Sequence, residues 1–360
     1  MNLKTLSFTL IGALATVGAS HACTTILLGA PGHTRLAFSY DFVMEAGAVL
    51  INGRGAERSS IFAPEPAIWD VEHASVTFNQ FGPGLPTTGM NDAGLVVTLM
   101  WNEDVDYPAP TGEPGVGELE LIQRLLDTSA SVGEAVAEAR ATHVPGMVPI
   151  HYFVTDSAGA RAILAHENGE LTVRAEDAVP IPALTNIWYE QLINLLPSAS
   201  PDGAASPADG FDDLAGNSVG RFANAASSIA EAGAEPSTGT AFTALVGVAN
   251  EMTRWNIVYD PVGGAVAFRL GTDGPAHELA LASVDLDLDC RAHPLGLRLG
   301  SADDRNITDD LQPFDEIAAL SLIADVYPAF PPTAAMLPAE QHAEFAEMAL
   351  AATRCVQPDR

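Results

Sequence analysis

The chain has 360 residues, 48% of them hydrophobic and only 17% charged, which allows a sizeable core and excludes a disordered polymer. Its formal net charge is −30, and beyond residue 22, where Lys4 is left behind, 15 basic residues face 46 acidic ones, giving −31. A surface so acidic excludes nucleic acid and anionic membranes as natural partners, and the scatter of the acids argues against a calcium loop and for a solvated coat.

In chain order, the first feature is a leader. Lys4 supplies a positive start, Leu6 to Val17 form a short apolar run, and Ser20-His21-Ala22 puts small residues where a signal peptidase reads. Residues 1–22 are therefore expected to be a cleaved signal peptide, leaving 23–360 as the mature chain and a periplasmic or secreted location. The apolar run is too short for a permanent span, and no later segment reaches the 18 apolar residues of a membrane helix, so no stable membrane insertion is expected. Cleavage would make Cys23 the N-terminal residue. In an oxidising compartment the other two cysteines, Cys290 and Cys355, are expected to pair as a disulfide, which leaves Cys23 as the odd thiol.

After Cys23 the pattern is strand-rich. Strands are predicted at Thr24 to Leu28, Leu36 to Phe42, Val49 to Asn52, Ser75 to Gln80 and Leu95 to Trp101. Two helices follow at Glu118 to Asp127 and Ser131 to Ala141, the second opened by Ser131 with Glu134 at capping-box spacing. A meander is predicted over Ile150 to Thr155, Ala160 to Ala165 and Glu170 to Val173, with turns at Asp156–Gly159 and Glu167-Asn168-Gly169. Ser198 to Asp212 reads as a loop. Helices are expected at Val219 to Ala232 and Ala241 to Asn250, strands at Asn256 to Tyr259 and Ala265 to Leu270. The tail, about 305–360, reads as helical from Asp315 and broken near Pro328 to Pro332. Strands and helices mix without regular alternation, which fits a layered α+β domain.

An N-terminal cysteine holds two halves of a nucleophilic pair. The thiol attacks, and the free α-amine, with an ordinary pKa of about 7.7–8.0, accepts its proton near neutrality. None of the nine histidines stands in a recognisable protease context, and no His, Cys and acid set has metal-ligand spacing, so no cofactor is implied.

Five short motifs, Cys23-Thr24-Thr25, Ser39-Tyr40-Asp41, Gly89-Met90-Asn91, Leu184-Thr185-Asn186 and Gly220-Arg221-Phe222, occur in the order and approximate spacing of the choloylglycine hydrolase family. Over residues 23 to 300 the chain resembles that family of N-terminal nucleophile hydrolases, which includes penicillin V acylases and bile salt hydrolases. Ser75 to Tyr107 and Trp255 to Arg269 resemble its linear amide C–N hydrolase branch. The resemblance implies a four-layer αββα sandwich, and a single domain that hydrolyses the amide of a small N-acyl compound through a thioester. It makes Cys23 the nucleophile, Asp41 the carboxylate that holds the α-amine and thiol in register, and Asn186 a side-chain oxyanion donor. It puts a second, backbone donor at Trp101 or beside it, and an assisting cation at Arg221. Many relatives carry a basic residue three positions before the aspartate, where this chain has Phe38, so Cys23 would depend more on its own amine and on Arg221.

Two other readings stand beside the hydrolase. A lipid-anchored, non-catalytic binding protein would carry its lipid on Cys23, although Ser20 stands where a lipobox wants Leu. An acyltransferase of the same fold would pass the thioester to an amine. The substrate class stays open among penicillin V-like, bile-salt-like and other N-acyl amides, as does a homo-oligomer.

Overall fold

The computed structural model describes residues 23–196, 213–287, 294–301 and 305–355. The leader, the loop at Ser198 to Asp212 and Cys290 lie outside the described residues. Eight strands come first: β1 (Thr24–Leu28), β2 (Arg35–Asp41), β3 (Ala48–Asn52), β4 (Ala56–Ser59), β5 (Ile68–Asp70), β6 (Ser75–Asn79), β7 (Pro86–Asn91) and β8 (Val96–Trp101). Helices α1 (Glu118–Thr128) and α2 (Val132–Ala141) lead into β9 (Ile150–Thr155), β10 (Arg161–Glu167), β11 (Glu170–Ala175) and β12 (Ala183–Leu184). Then come α3 (Tyr189–Leu195), α4 (Asp213–Glu231) and α5 (Thr238–Val246), followed by β13 (Thr253–Asp260), β14 (Ala265–Leu270), β15 (His277–Ala280), β16 (Leu295–Arg298) and β17 (Gln312–Pro313). Helices α6 (Glu316–Val326), α7 (Pro331–Met336) and α8 (His342–Ala351) precede the last strand, β18 (Thr353–Cys355).

Two antiparallel sheets form the centre. One has the strand order β12-β1-β2-β13-β14-β15, the other β11-β10-β9-β8-β7-β6-β3-β16-β17. They meet face to face: Thr25 on β1 bonds Thr98 on β8 at 2.7 Å, and the Phe78 ring on β6 sits edge-on to Tyr259 and Phe268. Helices α4 and α5 cover the first sheet, whereas α1 and α2 cover the second. This is the four-layer αββα arrangement. β1 and β3 are buried on both faces, and their β-branched and aliphatic residues mark them as strands in the sequence.

Local chemistry fixes the element ends. Ser131 accepts the Glu134 N–H as the N-cap of α2, and the Glu134 carboxylate takes the Ala130 N–H at 2.7 Å. Asn168 (φ 53°) and Gly169 (φ 79°) take the left-handed turn conformation between β10 and β11. Gly89 is required by packing, since a Cβ there would lie 2.7 Å from both Leu126 Cδ1 and Val76 O, pushing α1 off β7. The helix expected at Ala241 to Asn250 is shifted: Ser237 caps α5 at its start and Gly247 at its end, and Asn250 falls in the turn before β13. A third sheet, β18-β4-β5, joins the tail to the early chain. No helix among the described residues is long and apolar enough to cross a membrane.

Candidate active site

Alternation along β2 divides its side chains. Phe38 and Tyr40 point between the sheets, and Ser39 and Asp41 point to the opposite face. Phe38 stands opposite Thr25 and is fully buried, so a basic side chain at this position would enter an apolar slot. Tyr40 stacks on Trp255 with centroids 4.5 Å apart and donates its hydroxyl to Gln80 Oε1 at 2.6 Å. Gln80 in turn donates to the carbonyls of Met44 and Ala46, which stiffens the strand exit.

Cys23 stands just ahead of β1, and its Sγ donates to Asp41 O at 3.7 Å. Cys23 is 3% exposed. Burial, and then the Asp41 carboxylate, push the thiol up to about 12, against smaller opposing effects from the Asp41 backbone and Arg221. A thiol in that environment stays protonated at neutral pH and needs a proton acceptor before it attacks. Asp41 is fully buried, its Oδ1 accepting from Ser39 Oγ at 2.7 Å and its Oδ2 from Asn250 Nδ2 at 2.8 Å. Burial raises its pKa, opposed by Arg221 and by hydrogen bonds from Ser39, Thr253 and Asn250.

Arg221, on α4, reaches the chain start. Its Nη1 donates to Cys23 O at 2.6 Å and to Thr24 Oγ1, its Nη2 to Asn186 Oδ1 at 2.8 Å, and its Nε to Asn217 Oδ1 at 2.7 Å. Burial lowers its pKa to about 10, opposed by Asp41 and Cys23, so it is a cation at neutral pH. Asn186 follows β12, and its Nδ2 donates to Trp101 O at 2.9 Å. With Oδ1 held by arginine and one Nδ2 hydrogen by Trp101, the other Nδ2 hydrogen is oriented by its neighbours.

Trp101 ends β8 opposite Ile150. Asn102 N donates to Pro149 O at 2.9 Å, and both backbone groups of Ile150 bond to Tyr107 Oη. Trp101 and Ile150 are therefore a non-hydrogen-bonded pair, and the Trp101 N–H is turned away from β9.

Cys23, Asp41 and Trp101 line one cleft, whose empty space is about 950 Å³ including its open mouth. Most of its other walls are apolar, among them Phe42, Phe81, Leu85, Leu99, Ile150 and Phe330. Asn186 and Arg221 stand behind the cleft wall and join the site through hydrogen bonds. No histidine lines the cleft, and among the described residues no three His, Cys, Asp or Glu side chains gather as a metal-holding group.

Penicillin V acylase from Agrobacterium tumefaciens superposes with a TM-score of 0.65 over 81% of this chain and 98% of that one, at 19% identity. A mutant conjugated bile acid hydrolase from Clostridium perfringens follows with a TM-score of 0.60 over 74% and 94%, at 14% identity. The chain has the N-terminal nucleophile hydrolase fold of these two structures. In sequence, a penicillin V acylase of Pectobacterium atrosepticum is 28% identical over 122 residues, 29% of this chain; the match spans about a third (32%) of that relative's length. No model of a protein family matches the chain.

On this fold the five expected positions come together, and residues that sequence reading missed bear on them. Asn250 and Gln80 bear on Asp41 and Tyr40 with no motif around them. His151 on β9 is another: its Nε2 donates to Thr185 O at 2.7 Å, next to Asn186, while its Nδ1 lies 3.4 Å from Asn102 Nδ2. Burial lowers its pKa to about 4, so it stays neutral. Only its place opposite Met100 in the β8–β9 ladder brings it there.

Proposed function

We propose that this protein is a cysteine N-terminal nucleophile hydrolase, exported and processed at Ala22–Cys23, that cleaves linear amides of small N-acyl compounds. The observation that carries this reading is the buried Cys23 sulfur at the end of an apolar cleft, with Asp41, Trp101, Asn186 and Arg221 gathered around it on the fold of two amide hydrolases.

In the proposed reaction the acyl group enters the cleft and its carbonyl lies near Cys23. The thiol gives its proton to the α-amine freed by leader removal, and sulfur forms a bond to the carbonyl carbon. The oxyanion takes a hydrogen bond from Asn186 Nδ2 and from the Trp101 backbone N–H, which faces away from β9. The proton then passes from the α-amine to the leaving nitrogen, the C–N bond breaks, and the free amine departs from a thioester. Water attacks the thioester with the α-amine again taking a proton, the C–S bond breaks, and the thiol and acid are regenerated. Asp41 orients the amine. Arg221 balances its charge and holds the carbonyl of Cys23.

The test is release of free amine from a panel of penicillin V, glycine-conjugated bile acid and fatty N-acyl amides by mature protein beginning at Cys23. Turnover by that protein and none by Cys23→Ala supports the reading. Equal turnover by Cys23→Ala removes it. A competing amine in the same assay separates hydrolysis from acyl transfer, and an intact mass without a diacylglyceryl increment excludes the lipid-anchored reading.

A further inference from the structure

The cleft beside Cys23 is closed on one side by a segment from the far end of the chain. Tyr327, Phe330, Thr333 and Met336 all line it. Tyr327 Oη donates to Phe81 O at 3.2 Å, and the Phe330 ring meets Phe42 edge-on with centroids 5.9 Å apart. Phe42 directly follows Asp41, so the segment is anchored at the reactive end and continues along α7 to the half-buried Met336.

The polar side chains in the walls are turned to other partners. Thr333 Oγ1 lies 2.9 Å and 2.8 Å from the carbonyls of Tyr327 and Phe330. Thr87 Oγ1 donates to Phe78 O at 3.2 Å, and the Glu118 carboxylate accepts the N–H groups of Met147 and Val148 at 3.1 and 3.2 Å. Away from Cys23 and Asp41, an acyl group in this cleft meets carbon. A charge or hydroxyl there would lose water and gain little in return, whereas each added methylene would improve binding by about fourfold while there is room for it.

We propose that this cleft is a subsite for uncharged, unhydroxylated acyl groups, and that Phe330 and Met336 set the length of chain it accepts. The proposal rests on the amide hydrolase reading for its kinetic readout and not for its binding readout.

The kinetic test uses p-nitroanilides carrying butanoyl, octanoyl, dodecanoyl and succinyl groups, with mature wild type, Phe330→Trp and Met336→Trp. In the wild type kcat/KM should rise from butanoyl toward dodecanoyl, and succinyl should fall about a hundredfold below butanoyl. Either tryptophan should lower the dodecanoyl-to-butanoyl ratio by about tenfold or more. The binding test titrates N-dodecanoylglycinamide and N-succinylglycinamide into Cys23→Ala protein, with and without Met336→Trp, by calorimetry. The dodecanoyl amide should bind, the succinyl amide should not, and Met336→Trp should weaken the former. If no anilide is cleaved but this binding pattern holds, the hydrolase reading fails and the subsite stands. If succinyl matches butanoyl, or both substitutions leave the length profile and the binding unchanged, the subsite assignment is overturned, whatever the enzyme hydrolyses.

Discussion

The side-chain amide of Asn186 is fixed at both ends, its nitrogen donating to Trp101 O at 2.9 Å and its oxygen accepting from Arg221 at 2.8 Å. Two residues proposed for the oxyanion are thus held to each other, and the cation that holds one of them also holds the carbonyl of Cys23. The amide cannot flip without losing both bonds. Asn186→Ala should lower kcat by roughly 10²–10³ while the protein still folds, measured as amine release alongside a thermal melt. Turnover near the wild-type rate would take Asn186 out of the reaction.

In the proposed reaction the environment of Cys23 makes processing decisive. A buried thiol held near 12 has no use for an amide nitrogen as base, and that is all Cys23 offers while the leader remains. Ala22→Asp, which blocks cleavage, should give a folded and inactive precursor, and protein produced with Cys23 at its N-terminus should be active. An uncleaved precursor working at the mature rate would return the search to a cysteine–histidine pair.

His151 gives stability a pH dependence of known sign. Its pKa falls to about 4 in the fold, from an ordinary 6.5, chiefly because it is buried. Between these values the unfolded chain binds more protons, so its contribution is intact above 6.5 and is lost as pH drops through 4. The full loss is on the order of 3 kcal/mol. The raised carboxyls of Asp41, Glu118, Glu120 and Asp127 act in the opposite direction, so the histidine is isolated by difference. Urea midpoints of wild type and His151→Gln should converge as pH falls from 6.5 to 4; a constant gap would show that His151 is not the titrating group.

Cys355 lies at the exposed end of β18, paired through the ladder with Ala56, and its expected partner Cys290 is outside the described residues. Protein purified and digested without reductant should yield one cross-linked peptide containing both, with Cys23 alkylated alone. Recovery of all three thiols as alkylated peptides would dismiss the bridge.

What the sequence disclosed about the site was the part written in neighbours. Cys23, Asp41, Asn186 and Arg221 each sit in a three-residue motif, in or beside a strand or helix. Asn250 and His151 act across 209 and 34 residues, as partners of Asp41 and of the Thr185 carbonyl, and no local pattern marks such contacts. Among the elements, β7 begins at Pro86 and contains Gly89, two residues that lower strand propensity, and tertiary packing against α1 explains the glycine. Strands β4 and β18 carry Glu57, Arg58 and Arg354 and lack an apolar run; they form because they pair with each other, and Arg58 is buried there against Asp127 at 2.9 Å. The αββα layers were foreshadowed by motif resemblance more than by periodicity, since doubly buried strands and buried helices both read as continuous apolar sequence.

The bond from Tyr327 to the Phe81 carbonyl spans 246 residues, and β18 reaches back to β4. A chain of which only the first sheet strands have emerged therefore holds Cys23 without a finished room around it. Until the segment from Tyr327 to α7 emerges and docks, Phe42 and Phe81 lack their ring partners Phe330 and Tyr327, and a chain stalled before Tyr327 would expose a greasy groove rather than a substrate site. Premature stops in this region should thus produce material that sticks to chaperones and is degraded, and not a shortened catalyst with relaxed taste in acyl groups.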